Sequence, residues 1–187
     1  MAKGRVQMIE AAARLIHKQG YHATGLAEVV DKSGAPRGSI YHYFPRGKNQ
    51  LVEEAIESAC SRLVGYLEPL MAAAGNPVAA LDRLAQEATV QLEKSQFKYG
   101  CPFVLTALEA GSTQDDIRQR CAAAYGQVQG LIRRHACPAQ MDEARAEELS
   151  LFLFSSFQGA FITSQTLHDV RPLQMFRRQL PALLAQE

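Results

Sequence analysis

The chain has 187 residues, 47% hydrophobic and 21% charged, the balance of a globular protein of one domain or two small ones, with enough apolar content for a sizeable core. No run of 18 or more uncharged apolar residues occurs, so no membrane span is expected, and the N-terminal MAKGRVQMIEAAARLI lacks an apolar signal core with a cleavage site, which predicts a cytoplasmic chain. The net charge of +1 argues by itself against nucleic acid, but residues 1–50 hold eight Lys or Arg against three acids, a net +5, while residues 51–187 hold twelve against sixteen, a net −4. A basic module joined to an acidic one steers its basic end toward phosphate and keeps the remainder from adhering non-specifically.

The first helix is predicted over about Gly4 to Gln19, where Val6, Ile9, Ala13 and Ile16 recur on one stripe before Gly20. Thr24 offers an N-cap hydroxyl to a short second helix whose apolar face is Leu26, Val29 and Val30. Ser33-Gly34 stops it, glycine being suited to the left-handed backbone after a helix C-terminus. Pro36 fits the first turn of a third helix, about Pro36 to Phe44, where a missing amide costs nothing. Ile40 and Phe44 make its apolar side, and its other faces carry Arg37, Gly38, Ser39, Tyr41, His42 and Tyr43. The three helices share a predicted core of Ile9, Ile16, Leu26, Val29, Ile40 and Phe44.

A long fourth helix starts near Lys48 with Leu51, Ile56, Leu63, Leu67 and Leu70, and Gly75-Asn76-Pro77 breaks the chain after it. A fifth carries Leu81, Leu84, Ala88 and Leu92 and ends before Tyr99-Gly100-Cys101-Pro102. A short apolar segment, Phe103 to Ala110, precedes a break at Gly111-Ser112-Thr113. The seventh helix carries Ile117, Cys121, Ala124, Val128 and Leu131 as far as Cys137-Pro138. The eighth spans about Met141 to His168 and the ninth about Pro172 to Ala185. The predicted fold is all-α, about nine helices, with no segment that alternates like a strand.

Helix, tight turn, helix, with hydrogen-bonding side chains outward on the second, is the form of a helix-turn-helix DNA reader. The same local pattern is also ordinary core architecture in an all-α protein, with Tyr41 and Tyr43 as packing residues. The order Thr24, Gly34, Gly38-Ser39-Ile40-Tyr41-His42-Tyr43-Phe44 and Lys48 resembles the tetracycline-repressor (TetR) family of transcriptional regulators, over about Arg5 to Ala55. Phe44-Pro45-Arg46-Gly47-Lys48 is one residue longer than the commonest form, and with Gly100-Cys101-Pro102 it resembles the LmrA/YxaF-like branch. Val30 stands where alanine is commoner and Asn49 where an acid is commoner.

The resemblance implies an N-terminal DNA-binding domain, residues 1–47, and a C-terminal ligand-binding and dimerisation domain, residues 48–187. It places Tyr41, Tyr43 and Thr24 on phosphates. Arg37 is the candidate base reader, because a guanidinium bonds guanine O6 and N7 together. Pro36 and Gly38 offer apolar contact and close backbone approach, Ser39 reaches a phosphate or base edge, and His42 bonds phosphate or is merely solvated. Lys48 adds its charge to the free amides at the start of the fourth helix.

Leu149 to Leu167 is almost uncharged, and a helix apolar nearly all round is buried on all sides. Ser156, Gly159, Ala160 and Thr163 form a strip of small side chains, and Leu173, Phe176, Leu180 and Leu183 an apolar stripe on the next helix. The resemblance implies a homodimer joined by a four-helix bundle of these two helices from each copy; an intramolecular core is the other reading. A two-fold dimer sets two reading helices on half-sites about 34–36 Å apart or a multiple of it, so the expected partner is a palindromic double-stranded DNA operator.

The resemblance also implies release by a small-molecule effector, of apolar or aromatic character given the candidate walls Phe97, Phe103, Leu105, Phe152, Phe154, Phe157 and Phe161, with Gln158 and Tyr125 as polar anchors. Phe154, Phe157 and Phe161 share one helix face, a stripe that also serves as plain core, and Glu109 either attracts a cation or points to water. No nucleophile–base set, phosphate-binding glycine loop or metal cluster stands out, so neither an enzyme nor a cofactor is expected; a helical ligand- or lipid-binding protein without DNA activity is the remaining alternative. Cys60, Cys101, Cys121 and Cys137 make no CxxC pair and read as reduced small apolar residues, with Cys101, at a helix start, the one suited to redox sensing.

Overall fold

A computed structural model of the chain describes residues 3–110 and 113–185, with the side chains of Arg37 and Pro102 outside the description. The described residues fold as helices α1 (Lys3–Ala23), α2 (Leu26–Ser33), α3 (Ile40–Tyr43), α4 (Lys48–Ala72), α5 (Pro77–Lys94), α6 (Pro102–Ala110), α7 (Asp115–Ala136), α8 (Glu143–Leu167) and α9 (Arg171–Leu184), with a 3-10 turn at Arg37–Ser39 and no strand. The predicted all-α class and helix order hold. The break expected at Gly111-Ser112 lies outside the described residues. No helix among the described residues is long and apolar enough to cross a membrane.

The chain divides into two compact units, Met1–Arg62 with Cys101–Tyr125, and Leu63–Gly100 with Gly126–Glu187. In this division the first part of α4, as far as Arg62, and α6 with the first half of α7 group with the N-terminal helices. In the first unit α1 buries Met8, Ile9, Ala12 and Ile16, and Val29, Val30, Ile40, Phe44 and Leu51 complete the core. α1 is interrupted at Gly20, whose φ of 79° and ψ of −177° belong to a region open essentially to glycine. α2 ends as expected, with Gly34 at φ 68° donating its amide to the Asp31 carbonyl.

Two local expectations are corrected. Thr24 is not the N-cap of α2: Gly25 holds that position, and the buried Thr24 hydroxyl donates to the Gly20 carbonyl at 2.7 Å. The predicted third helix is a 3-10 turn followed by one α-turn, and Pro36, at ψ 134°, precedes it rather than opening it. The Ser39 amide and hydroxyl both donate to the Pro36 carbonyl, at 3.0 and 2.6 Å, which draws this segment into the tighter i to i+3 pattern.

In the second unit, α5, α8 and α9 pack on one another. Asn76 caps α5 by accepting from the Ala79 amide at 2.9 Å, and Asp142 caps α8 by accepting from Ala144 and Arg145. Leu81, Leu84 and Leu92 of α5 are buried, as are Leu153 and Phe157 of α8 and Leu173, Phe176 and Leu180 of α9. Arg177 and Asp82 form a two-pronged ion pair between α9 and α5, at 2.6 and 2.9 Å.

All four cysteines are thiols. Burial pushes Cys121 up to about 11, leaving roughly one thiolate in ten thousand at pH 7, and raises Cys60 as well. Cys101 and Cys137 are only half-buried. A polar maleimide is therefore expected to modify two thiols per native chain within minutes, and all four in denaturant, by intact mass. Rapid native labelling of four would show that the buried pair opens.

Candidate nucleic-acid interface

The segment from Pro36 to Tyr43 is held from below and open above. Ile40 and Phe44 anchor it in the first unit, while Pro36, Gly38, Tyr41 and His42 are exposed. Tyr41 is 65% exposed, so its ring and hydroxyl are open to solvent. A Cβ at Gly38 would meet nothing within 4 Å, so its backbone is open to close approach. Tyr43 is half-buried, with its ring near Gly4 at the start of α1 and edge-on to His42 at 5.2 Å. The Arg37 side chain lies outside the described residues; its backbone stands at the start of the 3-10 turn.

Lys48 opens α4 at the edge of this surface. Its ammonium lies 4.3 Å from the centre of the Tyr21 ring and donates to the His22 carbonyl at 3.5 Å. Burial lowers its pKa, and the Glu109 carboxylate opposes that shift. Thr24, an expected phosphate contact, is turned inward and only 2% exposed, because its hydroxyl closes the α1–α2 corner.

That corner also holds residues the sequence reading did not single out for it. The Glu109 carboxylate of α6 accepts the His22 amide at 3.0 Å, and the His22 ring bonds the Glu109 carbonyl at 3.0 Å. A Cβ at Gly20 would fall on this carboxylate, 2.8 Å from its carbon. Tyr21 donates to Asn49 at 2.7 Å, and Asn49 donates to Gln114 at 2.5 Å. Asn49, where an acid was the commoner choice, thus supplies both an acceptor and a donor. The Glu109 carboxylate is engaged with the His22 amide, and the cation whose charge it feels is the Lys48 ammonium.

The expected effector residues fall in both units. In the first, Phe103 is buried with its ring edge-on to Tyr125 at 6.5 Å, whereas Leu105 is 41% exposed. In the second, Phe154, Phe157 and Phe161 are buried, Phe157 stacks on Phe161 at 6.1 Å and meets Phe176 at 5.9 Å, and Gln158 is half-buried beside them in sequence. Phe97, at φ 59°, stacks on His168 at 5.4 Å. Phe152 is 53% exposed, so it points away from these rings and lines no interior wall.

The outer face of α8 is apolar. Leu151, Phe152, Ile162 and Leu167 are exposed, as are Gly159 and Thr163, with Ser156 and Ala160 half-buried between them. In the single chain, then, α8 is covered on one side, and the expected covering by a second copy concerns the other. On α9, Leu173, Phe176 and Leu180 are buried within the chain's own second unit and Leu183 is half-buried. These residues do not form an outward face; Met175, at 57%, is a large apolar side chain that α9 does expose.

Residues 8–55 match the family described as bacterial regulatory proteins, tetR family, and residues 77–179 match the C-terminal domain of LmrA/YxaF-like transcriptional regulators. An uncharacterized HTH-type transcriptional regulator, Rv0196 of Mycobacterium tuberculosis, is 35% identical over 98% of this chain and 95% of its own length. The HTH-type transcriptional regulator LmrA of Bacillus subtilis is 29% identical over 96% of each. In fold, the reduced form of Escherichia coli NemR superposes with a TM-score of 0.81 at 19% identity over 97% of both chains.

Proposed function

We infer that this chain, which belongs to the TetR family of DNA-binding transcriptional regulators in its LmrA/YxaF-like branch, works as a homodimeric repressor that a small apolar or aromatic effector releases from a palindromic operator. The observation that carries the reading is the exposed face from Pro36 to Tyr43, polar and aromatic, on the basic end of the chain and backed by buried Ile40 and Phe44. Arg37 reads a base edge. Tyr41, His42, Tyr43, Ser39 and Lys48 contact phosphates and fix register, which carries no sequence information of its own. Thr24 serves the corner beneath them rather than a phosphate.

The apolar stripe on α8, from Leu151 through Gly159 to Leu167, meets its copy in the partner and sets two reading segments on one duplex. The effector binds among the C-terminal aromatics, for which the cluster Phe154, Phe157 and Phe161 with Gln158 is the best support. It releases DNA only through different affinity for the bound and free conformations.

Selection from a random duplex library at about 150 mM salt, where non-specific binding is weakened, tests the reading. An enriched palindrome is expected. Arg37→Ala is expected to cost about 1–3 kcal/mol of discrimination between that duplex and variants at one position, while Lys48→Ala weakens all duplexes alike. Sequence-blind binding by the wild-type chain would overturn the repressor reading. Equal losses on operator and random DNA for Arg37→Ala would remove its base-reading role.

A further inference from the structure

Arg46 looks, in sequence, like another phosphate contact: it follows the reading segment and stands two residues before Lys48. Its atoms are committed elsewhere. Nη1 and Nη2 donate to Glu53 Oε1 and Oε2 at 3.1 and 2.9 Å, a two-pronged pair with a carboxylate side chain that is only 5% exposed. The Arg46 amide donates to Gln50 Oε1 at 3.1 Å, and Gln50 donates to Glu54 at 3.1 Å. Glu54 in turn pairs with Arg5 of α1 at 2.5 Å, and the Arg5 guanidinium lies 5.3 Å from the centre of the Phe44 ring. Gln50, Glu53 and Glu54 of α4 thus grip Phe44 to Arg46, the segment that ends α3, from two sides.

We propose that the Arg46–Glu53 pair is a clamp that positions the reading segment on α4, and that Arg46 does not contact DNA. Moving Arg46 to a phosphate would take from Glu53 its two-pronged partner and leave Arg120, at 4.0 Å, beside a carboxylate that is 5% exposed with the pair in place, and losing one partner of a largely buried pair is unfavourable. Asp116, itself largely exposed, lies 3.9 Å from Arg46 Nη1 and adds a weaker attraction. Arg46 and Glu53 are positioning residues: they fix where Tyr41, His42 and Tyr43 stand before DNA arrives. Fixing them beforehand removes an ordering cost from binding.

The two roles predict opposite signs for one substitution. With the clamp, Glu53→Gln and Arg46→Met each weaken binding to the duplex enriched by the wild-type chain, by roughly tenfold. The double variant is then no worse than either single one, and the slope of log K against log salt stays at its wild-type value. If Arg46 binds phosphate, Arg46→Met lowers that slope by about 1, and Glu53→Gln, by freeing Arg46, leaves binding equal or tighter. That result overturns the proposal. Amide exchange of Phe44, Arg46 and Gly47 in the DNA-free full-length protein gives a readout independent of any operator. Faster exchange in both variants is expected; unchanged exchange overturns the clamp. Arg46→Lys, which keeps the charge but not the fork, should behave as Arg46→Met does, and it keeps the test open should Glu53→Gln fail to fold.

Discussion

Gly20→Ala is expected to lower the unfolding free energy by about 1–3 kcal/mol from backbone conformation alone, because φ 79° with ψ −177° is a region that L side chains essentially do not enter. For a chain of this length that corresponds to a fall in Tm of roughly 2–12 °C. A second penalty adds to it, since the new Cβ would fall on the Glu109 carboxylate that accepts the His22 amide. The two contributions separate experimentally. Glu109→Ala in the Gly20→Ala background removes the collision but leaves the backbone strain, so thermal melts should show partial recovery. Full recovery would mean that strain at Gly20 is negligible, and an unchanged Tm in Gly20→Ala would mean that the α1–α2 corner is not built as described. Operator affinity should fall as well, because Lys48 donates to the carbonyl of His22 at the same corner.

Much of this architecture was legible in the sequence, and the reasons for the gaps are local. The stop after Gln19 and the glycine cap at Gly34 were readable because glycine at a helix end has a conformational cause. Why Gly20 must be glycine was not, since its neighbour Glu109 lies 89 positions away and nothing in the local pattern points to it. Thr24 carried a correct signal, a short hydroxyl side chain at a helix boundary, attached to the wrong partner. The hydroxyl bonds back to Gly20 rather than forward into α2, and both options are open to threonine. Helical period also located the apolar stripe Leu173, Phe176 and Leu180 correctly, but period alone does not say which surface covers a stripe. Here α5 and α8 of the same chain do, and the large apolar residues left outside include Leu151, Phe152, Ile162 and Leu167 of α8 and Met175 of α9. Arg46 illustrates the same limit for charge. Counting it in the basic surplus of the first 50 residues was correct, yet its direction depends on a carboxylate from α4.

Gly159→Arg is expected to abolish high-affinity operator binding while leaving the single chain folded. Gly159 is exposed on the outer face of α8, and a Cβ there would meet nothing within 4 Å beyond the backbone of its own helix. Replacing a glycine inside a helix by a better helix former stabilises the isolated chain by about 0.5–1 kcal/mol. In the proposed dimer the same position lies where two α8 helices approach each other, and an arginine there must either bury an unpaired charge or hold the helices apart. Sedimentation should therefore show a monomer at micromolar concentration with unchanged helicity and an equal or higher Tm. Operator affinity should drop toward the non-specific level, typically about 10³–10⁷-fold weaker than specific binding, because one reading segment no longer has a second at fixed spacing. A dimer that persists in Gly159→Arg with full operator affinity would rule out this face of α8 as the interface. A monomeric wild-type chain that binds the operator tightly would go further and remove the need for two-fold symmetry.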